Sequence, residues 1–335
     1  MITMLQHFKR FRPSLKHLLY GGLGGGISIV GAMFVVGLYV VGAVIHPKKR
    51  TVFDEYTFSP YEFDLPGETV TFPPRQGDYQ VSGWFVPCEG ATTTILICPG
   101  HRSRKSDLLG MIRHLWKLGH NVLAFDFYGH GTNTGQHITL GYREINDFYG
   151  AIEYAKERAP QTRLGVVAYS MGAAVAIMCS AHTSEIEALV LDSAFASNRS
   201  VVDYNLHRAF PVPSTPFVWA ADSLMGWLAG YHFNQVEPLR DISYISPRPI
   251  LIIHGEKDSI VNPKDATLLY EAAGEPKELW LLPNVDHCGS YFADRAAYVQ
   301  RVTAFFDKNL KKPRLQLVEN VSDEGEQEGG LSAAS

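Results

Sequence analysis

The chain has few cysteines and no overall excess of basic residues, and both shortages exclude classes of protein. Four cysteines occur among 335 residues, and none of them has the Cys-x-x-Cys spacing of a zinc or redox site. Neither a zinc site nor a disulfide framework is therefore expected. The first 50 residues carry seven basic and no acidic side chains, yet the whole chain has a net charge of −4. The remainder is strongly acidic, so a nucleic-acid partner is not expected.

Charge is entirely missing from one long stretch, which runs for 28 residues from Leu18 to Ile45. About 20 helical residues cross a bilayer, so this stretch is long enough to do so with some tilt. The apolar part of a signal peptide is shorter, roughly 7–15 residues. We therefore predict a transmembrane helix over 18–45, ahead of a domain that does not need it for its core. The alternative is a buried helix of that domain.

The flanks of this stretch give a weak indication of topology. Four basic residues precede it and three follow it, which favours a cytoplasmic N-terminus and a folded domain on the other side of the membrane. Five acidic residues and no basic ones follow Arg314, as is typical of disorder. The predicted organisation is a basic tail over 1–17, a transmembrane helix over 18–45, a linker over 46–67, a folded domain over 68–310 and a disordered acidic tail over 311–335.

The candidate nucleophile is a serine between a predicted strand and a predicted helix. Apolar residues from Leu164 to Tyr169 predict the strand, small residues from Met171 onward predict the helix, and Ser170 lies between them. This is the layout of a nucleophile elbow, usually spelled Gly-x-Ser-x-Gly. Ala168 takes the place of the first glycine, which is the smallest possible departure. The helix N-terminus offers unpaired N–H groups to a developing oxyanion.

Chain order selects the other two members of a catalytic triad. In elbow enzymes the order is Ser, then Asp or Glu, then His. Asp258 follows an apolar strand-like run over 249–253, and of the 13 histidines only His287 lies beyond Asp258. We therefore predict His287 as the base and Asp258 as the acid that orients it. Asp286 and Asp192 are the alternative acids.

An acyl-transfer site also needs donors for the oxyanion. The N–H of Met171 follows the nucleophile directly and supplies one. The loop after the predicted strand over 94–98 supplies the other, with the amide of His101 preferred and that of Arg102 second. Basic residues continue from Arg102 through Arg104 and Lys105. They form either a solvated helix start or a cluster that attracts an anionic substrate. His254, like His101 and His130, is interpreted as a residue that positions a loop.

Strand-like and helix-like segments alternate along the domain, which predicts an α/β fold with a mostly parallel, doubly wound sheet. The alternation stops between residues 195 and 247. This insert is predicted to be a small helical lid over the site, with Trp219 and Trp227 expected to line an acyl-binding pocket. Its aromatic residues are Phe210, Phe217, Trp219, Trp227, Tyr231 and Phe233.

From about Val70 to Phe306 the chain resembles the α/β-hydrolases, in particular bacterial membrane-anchored hydrolases and the serine aminopeptidase-like family. Besides the elbow, the resemblance depends on three motifs: Asp126 to Gly131, Leu191 to Phe195, and His254-Gly255 through Asp258. It implies hydrolysis of an ester, thioester or amide through an acyl-enzyme, with no metal or organic cofactor.

The sequence therefore predicts a membrane-anchored serine hydrolase that cleaves carboxylic esters or thioesters. Its expected partners are a small-molecule or lipid-like acyl substrate and the membrane. A serine peptidase or amidase is the alternative within the same chemistry, and an inactive hydrolase fold used as a binding module is a remote one.

Overall fold

An eight-stranded sheet lies at the centre of the computed structural model, which describes residues 29–45, 58–131, 133, 137–209 and 213–310. The strands are β1 (Glu68–Phe72), β2 (Val81–Val86), β3 (Thr93–Cys98), β4 (Asn121–Phe125), β5 (Arg163–Tyr169), β6 (Ile186–Asp192), β7 (Ile250–Gly255) and β8 (Lys277–Leu282). Their spatial order is β1-β2-β4-β3-β5-β6-β7-β8. The first two pairings are antiparallel and the rest are parallel.

Helices cover both faces of the sheet, which explains why its central strands are apolar throughout. Every residue of β3 is buried, as is typical of a parallel strand with a helix layer on each side. The helices before the insert are α1 (Ile29–Ile45), α2 (Leu109–Lys117), α3 (Ile145–Arg158) and α4 (Met171–Ser180). Those after it are α8 (Lys264–Ala272), α9 (Ser290–Ala293) and α10 (Arg295–Leu310). Helices α2 and α10 pack on one face, and α3, α4 and the insert pack on the other.

The insert between β6 and β7 is helical, as predicted. It contains α5 (Asn198–Ala209), α6 (Thr215–Ala229) and α7 (Pro238–Asp241), together with two short 3-10 helices. Tyr231 and Phe233 are buried in the main hydrophobic core, where Tyr231 stacks on Tyr142 with 5.1 Å between the ring centroids. Trp219 and Trp227, which were expected to line an acyl-binding pocket, are instead largely exposed on α6. Phe210 lies outside the described residues.

The charge-free stretch contributes α1, which packs against α6. Val36, Val40 and Val41 are buried in the main core, whereas Phe34 and Leu38 are exposed. The stretch is therefore in contact with the domain, which corrects the expectation that the core does not use it. No helix within the described part of the chain is both long and apolar enough to cross a membrane. Residues 18–28, both predicted tails and positions 46–57 of the predicted linker lie outside the described residues.

Candidate active site

Ser170 occupies a sharp bend between β5 and α4. Its backbone has φ 51° and ψ −116°, a region that non-glycine residues rarely adopt and that is found at functional turns. The Ser170 N–H donates to the carbonyl of Asp192 at 2.8 Å, which extends the β5–β6 ladder by one residue. A Cβ atom on Gly172 would lie 2.5 Å from the Pro99 carbonyl oxygen, so only glycine permits this approach. The bend has the backbone geometry that the sequence predicts for a nucleophile elbow.

Three predicted residues are joined by hydrogen bonds. Nε2 of His287 lies 2.9 Å from Oγ of Ser170, and Nδ1 of the same ring lies 2.6 Å from Oδ2 of Asp258. The other Asp258 oxygen accepts the N–H groups of Ile260 and Val261, each at 2.8 Å. These contacts fix the carboxylate and, through it, the imidazole. A hydroxyl, an imidazole and a carboxylate are thus joined in the order found in Ser-His-Asp triads.

The two alternative acids have other partners. Asp286 accepts the backbone N–H groups of Ser259 at 2.8 Å and His287 at 2.7 Å, so it holds two loops together. Oδ1 of Asp192 accepts the hydroxyl of Ser193 at 2.9 Å. That hydroxyl in turn accepts the N–H of Cys288 at 3.0 Å. Asp192 is therefore linked through Ser193 to the loop that carries His287. Asp258 is the acid that contacts the His287 ring.

A second histidine touches the same carboxylate, and sequence reasoning gave it only a loop-positioning role. Nε2 of His254 lies 3.1 Å from Oδ2 of Asp258, and both side chains are fully buried. Their four-residue spacing, from the end of β7 into the following loop, was visible in the sequence. The carboxylate oxygen is thus shared by His254 on one side and His287 on the other.

The electrostatics of this pair suit an ionised acid and a basic imidazole. Burial raises the pKa of Asp258, but the neighbouring His254 and His287 rings outweigh it and hold the pKa well below its usual range. Burial lowers the pKa of His287, whereas Cys288 and the Asp258 carboxylate raise it, and the net pKa lies above the ordinary 6.5. An ionised carboxylate in this position favours the protonated form of the His287 imidazole.

The predicted oxyanion loop lies against the nucleophile. A Cβ atom on Gly100 would come within 3.1 Å of Cβ of Ser170. Arg102 in this loop has φ 63°, an unusual conformation for a residue with a long side chain. The Met171 and His101 amides therefore belong to the two segments that border Ser170. Burial, together with the charges of His130 and Arg102, lowers the pKa of the His101 ring well below 6.5, although the Ala43 carbonyl opposes this.

Arg102 and Lys105 are not a solvated basic cluster. Arg102 donates from Nη2 to the carbonyl oxygen of Ala43 at 2.6 Å, near the C-terminus of α1. The Lys105 ammonium is buried and lies 2.6 Å from Oδ2 of Asp126. Oδ1 of Asp126 also accepts the Lys105 N–H at 2.8 Å. Both interpretations of the cluster were therefore wrong for Lys105, which is paired with Asp126 inside the protein, whereas the anion-attracting role of Arg102 stays a prediction.

Comparison with known proteins agrees with this architecture. A family model described as serine aminopeptidase, S33, matches residues 90–228. The protein YqkD of Bacillus subtilis is 27% identical over 290 residues, which cover 84% of this chain and 95% of YqkD.

Two solved structures share the fold. The esterase Pf2001 of Pyrococcus furiosus superposes with a TM-score of 0.65 at 24% identity, covering 79% of this chain and 100% of the esterase. The acylaminoacyl peptidase of Pyrococcus horikoshii gives a TM-score of 0.56 at 16% identity, covering 75% of this chain and 43% of the peptidase. The sheet order, the serine bend and these likenesses together show that the chain has the α/β-hydrolase fold.

Proposed function

We propose that this protein is a serine hydrolase that cleaves carboxylic esters or thioesters through an acyl-enzyme. The observation that carries the proposal is the unbroken hydrogen-bonded series from Asp258 through His287 to Ser170. Ser170 lies at the N-terminus of α4, where unpaired N–H groups favour negative charge on a neighbouring oxygen.

In the proposed acylation, Oγ of Ser170 bonds to the substrate carbonyl carbon while Nε2 of His287 takes the hydroxyl proton. The N–H groups of Met171 and His101 stabilise the negative charge on the carbonyl oxygen. The bond to the leaving oxygen or sulfur then breaks, and His287 returns the proton to it. A water molecule repeats these steps on the acyl-enzyme, which releases the acid and restores Ser170. Asp258 stays ionised throughout.

A serine peptidase is the second candidate, and the family model supports it by its description as a serine aminopeptidase. The same three residues can cleave an amide, since only the leaving group differs. The aromatic and apolar character of α6 favours an acyl substrate over a charged peptide terminus. Each buried methylene of an acyl chain contributes about 0.8 kcal/mol to binding.

The proposal includes a membrane anchor and a lid. The charge-free stretch over 18–45 anchors the protein, with the N-terminus cytoplasmic and the catalytic domain on the opposite side. The exposed apolar residues of α1 support the anchor. The helical insert over 195–247 is the lid, because it follows β6, whose carboxyl end lies at the edge of the sheet that carries Ser170.

Two measurements test the proposed activity. The detergent-solubilised full chain should react with a fluorophosphonate probe, and the Ser170→Ala variant should not. A panel of p-nitrophenyl esters and aminoacyl-p-nitroanilides then separates the candidates: faster turnover of the esters supports an esterase, and faster turnover of the anilides supports a peptidase. Absence of labelling with a folded wild-type protein would leave only the inactive binding module.

A further inference from the structure

Helices α1 and α6 pack against each other through small residues. A Cβ atom on Gly37 would lie 2.7 Å from Cδ1 of Leu224 and 3.4 Å from backbone atoms of Ala220 and Ala221. Glycine in α1 therefore lets the two helix backbones come close together. Close approach at glycine and alanine is the usual contact between helices in a bilayer, where the hydrophobic effect does not drive association.

The most exposed residues on the outward surface of this helix pair are uncharged, and the partly exposed Asp222 of α6 lies 3.1 Å from Nδ1 of His232. On α1, Phe34 is 51% exposed, and Val35 and Leu38 lie beside it on the same face. On α6, Trp219 and Trp227 are 66% and 78% exposed. The exposed positions of α6 are all uncharged: Thr215, Pro216, Trp219, Ser223, Trp227 and Leu228. A helix that faces water ordinarily presents charged and polar residues there, whereas tryptophan is enriched where proteins meet lipid headgroups.

The continuation of the chain identifies what covers this surface. Helix α1 is the C-terminal part of the charge-free stretch, which extends a further 11 residues from Leu18 to Ser28 ahead of it. Helix α6, whose single charged residue is Asp222, packs beside this stretch, so the two helices share the same surroundings. If the stretch is in the bilayer, α6 lies at the bilayer surface beside it.

We propose that α1 and α6 together form a docking surface for the lipid bilayer, and that the substrate is an acyl ester of a lipid taken from that bilayer. The substrate part deepens the proposed hydrolase activity and rests on it, while the docking part rests only on the proposed membrane anchor. The C-terminal end of α1 reaches the oxyanion loop, because Arg102 donates to the Ala43 carbonyl at 2.6 Å. The same loop touches Ser170 through Gly100. The docked helix therefore ends one loop away from the nucleophile.

Tryptophan fluorescence tests the docking directly. The full chain is placed in vesicles of phosphatidylcholine and phosphatidylglycerol whose acyl chains carry bromine, a short-range quencher. The chain has five tryptophans, so the wild type is compared with a Trp219→Phe/Trp227→Phe variant. We expect the wild type to lose a larger fraction of its emission, since Trp219 and Trp227 would contact lipid. Equal quenching of the two proteins would overturn the docking surface, even for a chain that is anchored through residues 18–45.

Activity on two substrates tests the substrate class. Trp219→Ser/Trp227→Ser should lower kcat/KM about tenfold on a long-chain ester embedded in vesicles, a change of about 1.4 kcal/mol, and leave p-nitrophenyl acetate turnover unchanged. Tyr244→Ser is the control, because Tyr244 is also 66% exposed but lies in a 3-10 helix outside α1 and α6. An equal loss in the control, or none in the tryptophan variant, would overturn the lipid substrate.

These outcomes separate the two proposals. A wild-type protein that is quenched but does not hydrolyse p-nitrophenyl acetate would retain the docking surface and refute the hydrolase. A protein that hydrolyses the acetate without differential quenching would refute docking alone. If the wild type is instead a dimer in detergent that the Trp219→Ser/Trp227→Ser variant dissociates, the surface binds a second copy, and the bilayer proposal is wrong.

Discussion

His254 lies 3.1 Å from Oδ2 of Asp258, on the same oxygen that the His287 ring contacts. Both His254 and Asp258 are enclosed by protein, so neither can exchange its partner for bulk water. The acid therefore has one fixed position relative to the imidazole. His254 acts in this arrangement as a positioning residue, since it reaches the reaction only through Asp258.

Replacing His254 with alanine should lower kcat by about tenfold to a hundredfold and change KM little, because small displacements of a catalytic group slow the chemical step. Steady-state kinetics on a soluble ester measure both constants. His254→Asn retains a side-chain N–H donor and should recover part of the loss. A proportional rise in KM, or no difference between the two variants, would show that His254 serves packing alone.

The Ser170→Ala variant should lose roughly 10⁴-fold or more in kcat, together with all fluorophosphonate labelling. Its fold should persist, because the hydroxyl contributes a hydrogen bond to His287 and no packing volume. Circular dichroism and the urea midpoint check the fold. Ser223→Ala is the matched control, since its hydroxyl donates to the Trp219 carbonyl on α6. Substantial turnover by Ser170→Ala would exclude the proposed nucleophile.

Activity should decline at acidic pH from a point above the ordinary histidine pKa of 6.5, because the net pKa of His287 is raised. The base must be neutral to accept the Ser170 proton, and it becomes protonated as the pH falls through its pKa. The pH dependence of kcat/KM reports this value. Asp258→Asn removes the carboxylate, while burial still lowers the His287 pKa. The pH below which kcat/KM declines should therefore fall in this variant, and kcat should fall as well. If the acidic decline of kcat/KM stayed at the same pH in Asp258→Asn, a group other than His287 would be responsible for it.

Lys105→Met should reduce the free energy of unfolding by about 3–5 kcal/mol, because it leaves the buried Asp126 carboxylate without its cation. The double variant Lys105→Met/Asp126→Leu should recover much of this loss. Lys156→Met is the control: its partner Glu185 is 2.7 Å away, but both side chains are solvent-exposed. An exposed pair contributes about 0–1 kcal/mol. Chemical denaturation compares the variants, and equal effects of the two single substitutions would contradict a special role for burial.

Arg102→Ala should lower kcat about tenfold, since the side chain ties the loop beside Ser170 to the end of α1. Arg102→Lys retains a cation that can reach the Ala43 carbonyl and should restore part of the activity. Arg113 also donates to a backbone carbonyl, that of Phe63 at 3.3 Å, and it is the control for loss of an arginine. Equal kinetic constants for Arg102→Ala and Arg113→Ala would show that the contact between Arg102 and α1 does not affect catalysis.

Much of the fold and the central residues of the site were predictable because local patterns encode them. Apolar runs with turn residues between them predicted the strands, and the strand predicted before Ser170 ends at Tyr169, as β5 does. Ser170 was recognisable from the strand-to-helix change around it. Chain order then left His287 as the sole histidine after Asp258, so no knowledge of distant contacts was needed.

Contacts between segments far apart in the chain were not predictable in this way. In the sequence Lys105 belongs to a basic run. Its partner Asp126 is 21 residues further along the chain, beyond α2 and β4, so the pairing is not visible in the local pattern. The charge-free stretch specifies an apolar environment but not which neighbour provides it, so its contact with α6 was missed. Trp219 and Trp227 are apolar enough for a pocket, and only the packing of the insert reveals that they face outward.

Two backbone hydrogen bonds continue the sheet beyond the ends of its strands, and they affect how the substrate specificity of this enzyme could evolve. The Ser170 N–H donates to the Asp192 carbonyl and the Ser193 N–H to the Ile253 carbonyl, both at 2.8 Å. Main-chain atoms therefore set the spacing between the serine bend and the neighbouring strand ends, whatever side chains surround them. The insert enters after this spacing is established, so its length and composition can vary without moving the reacting groups. Selection for a new substrate can act on α5 to α7 while the chemistry is preserved by the sheet.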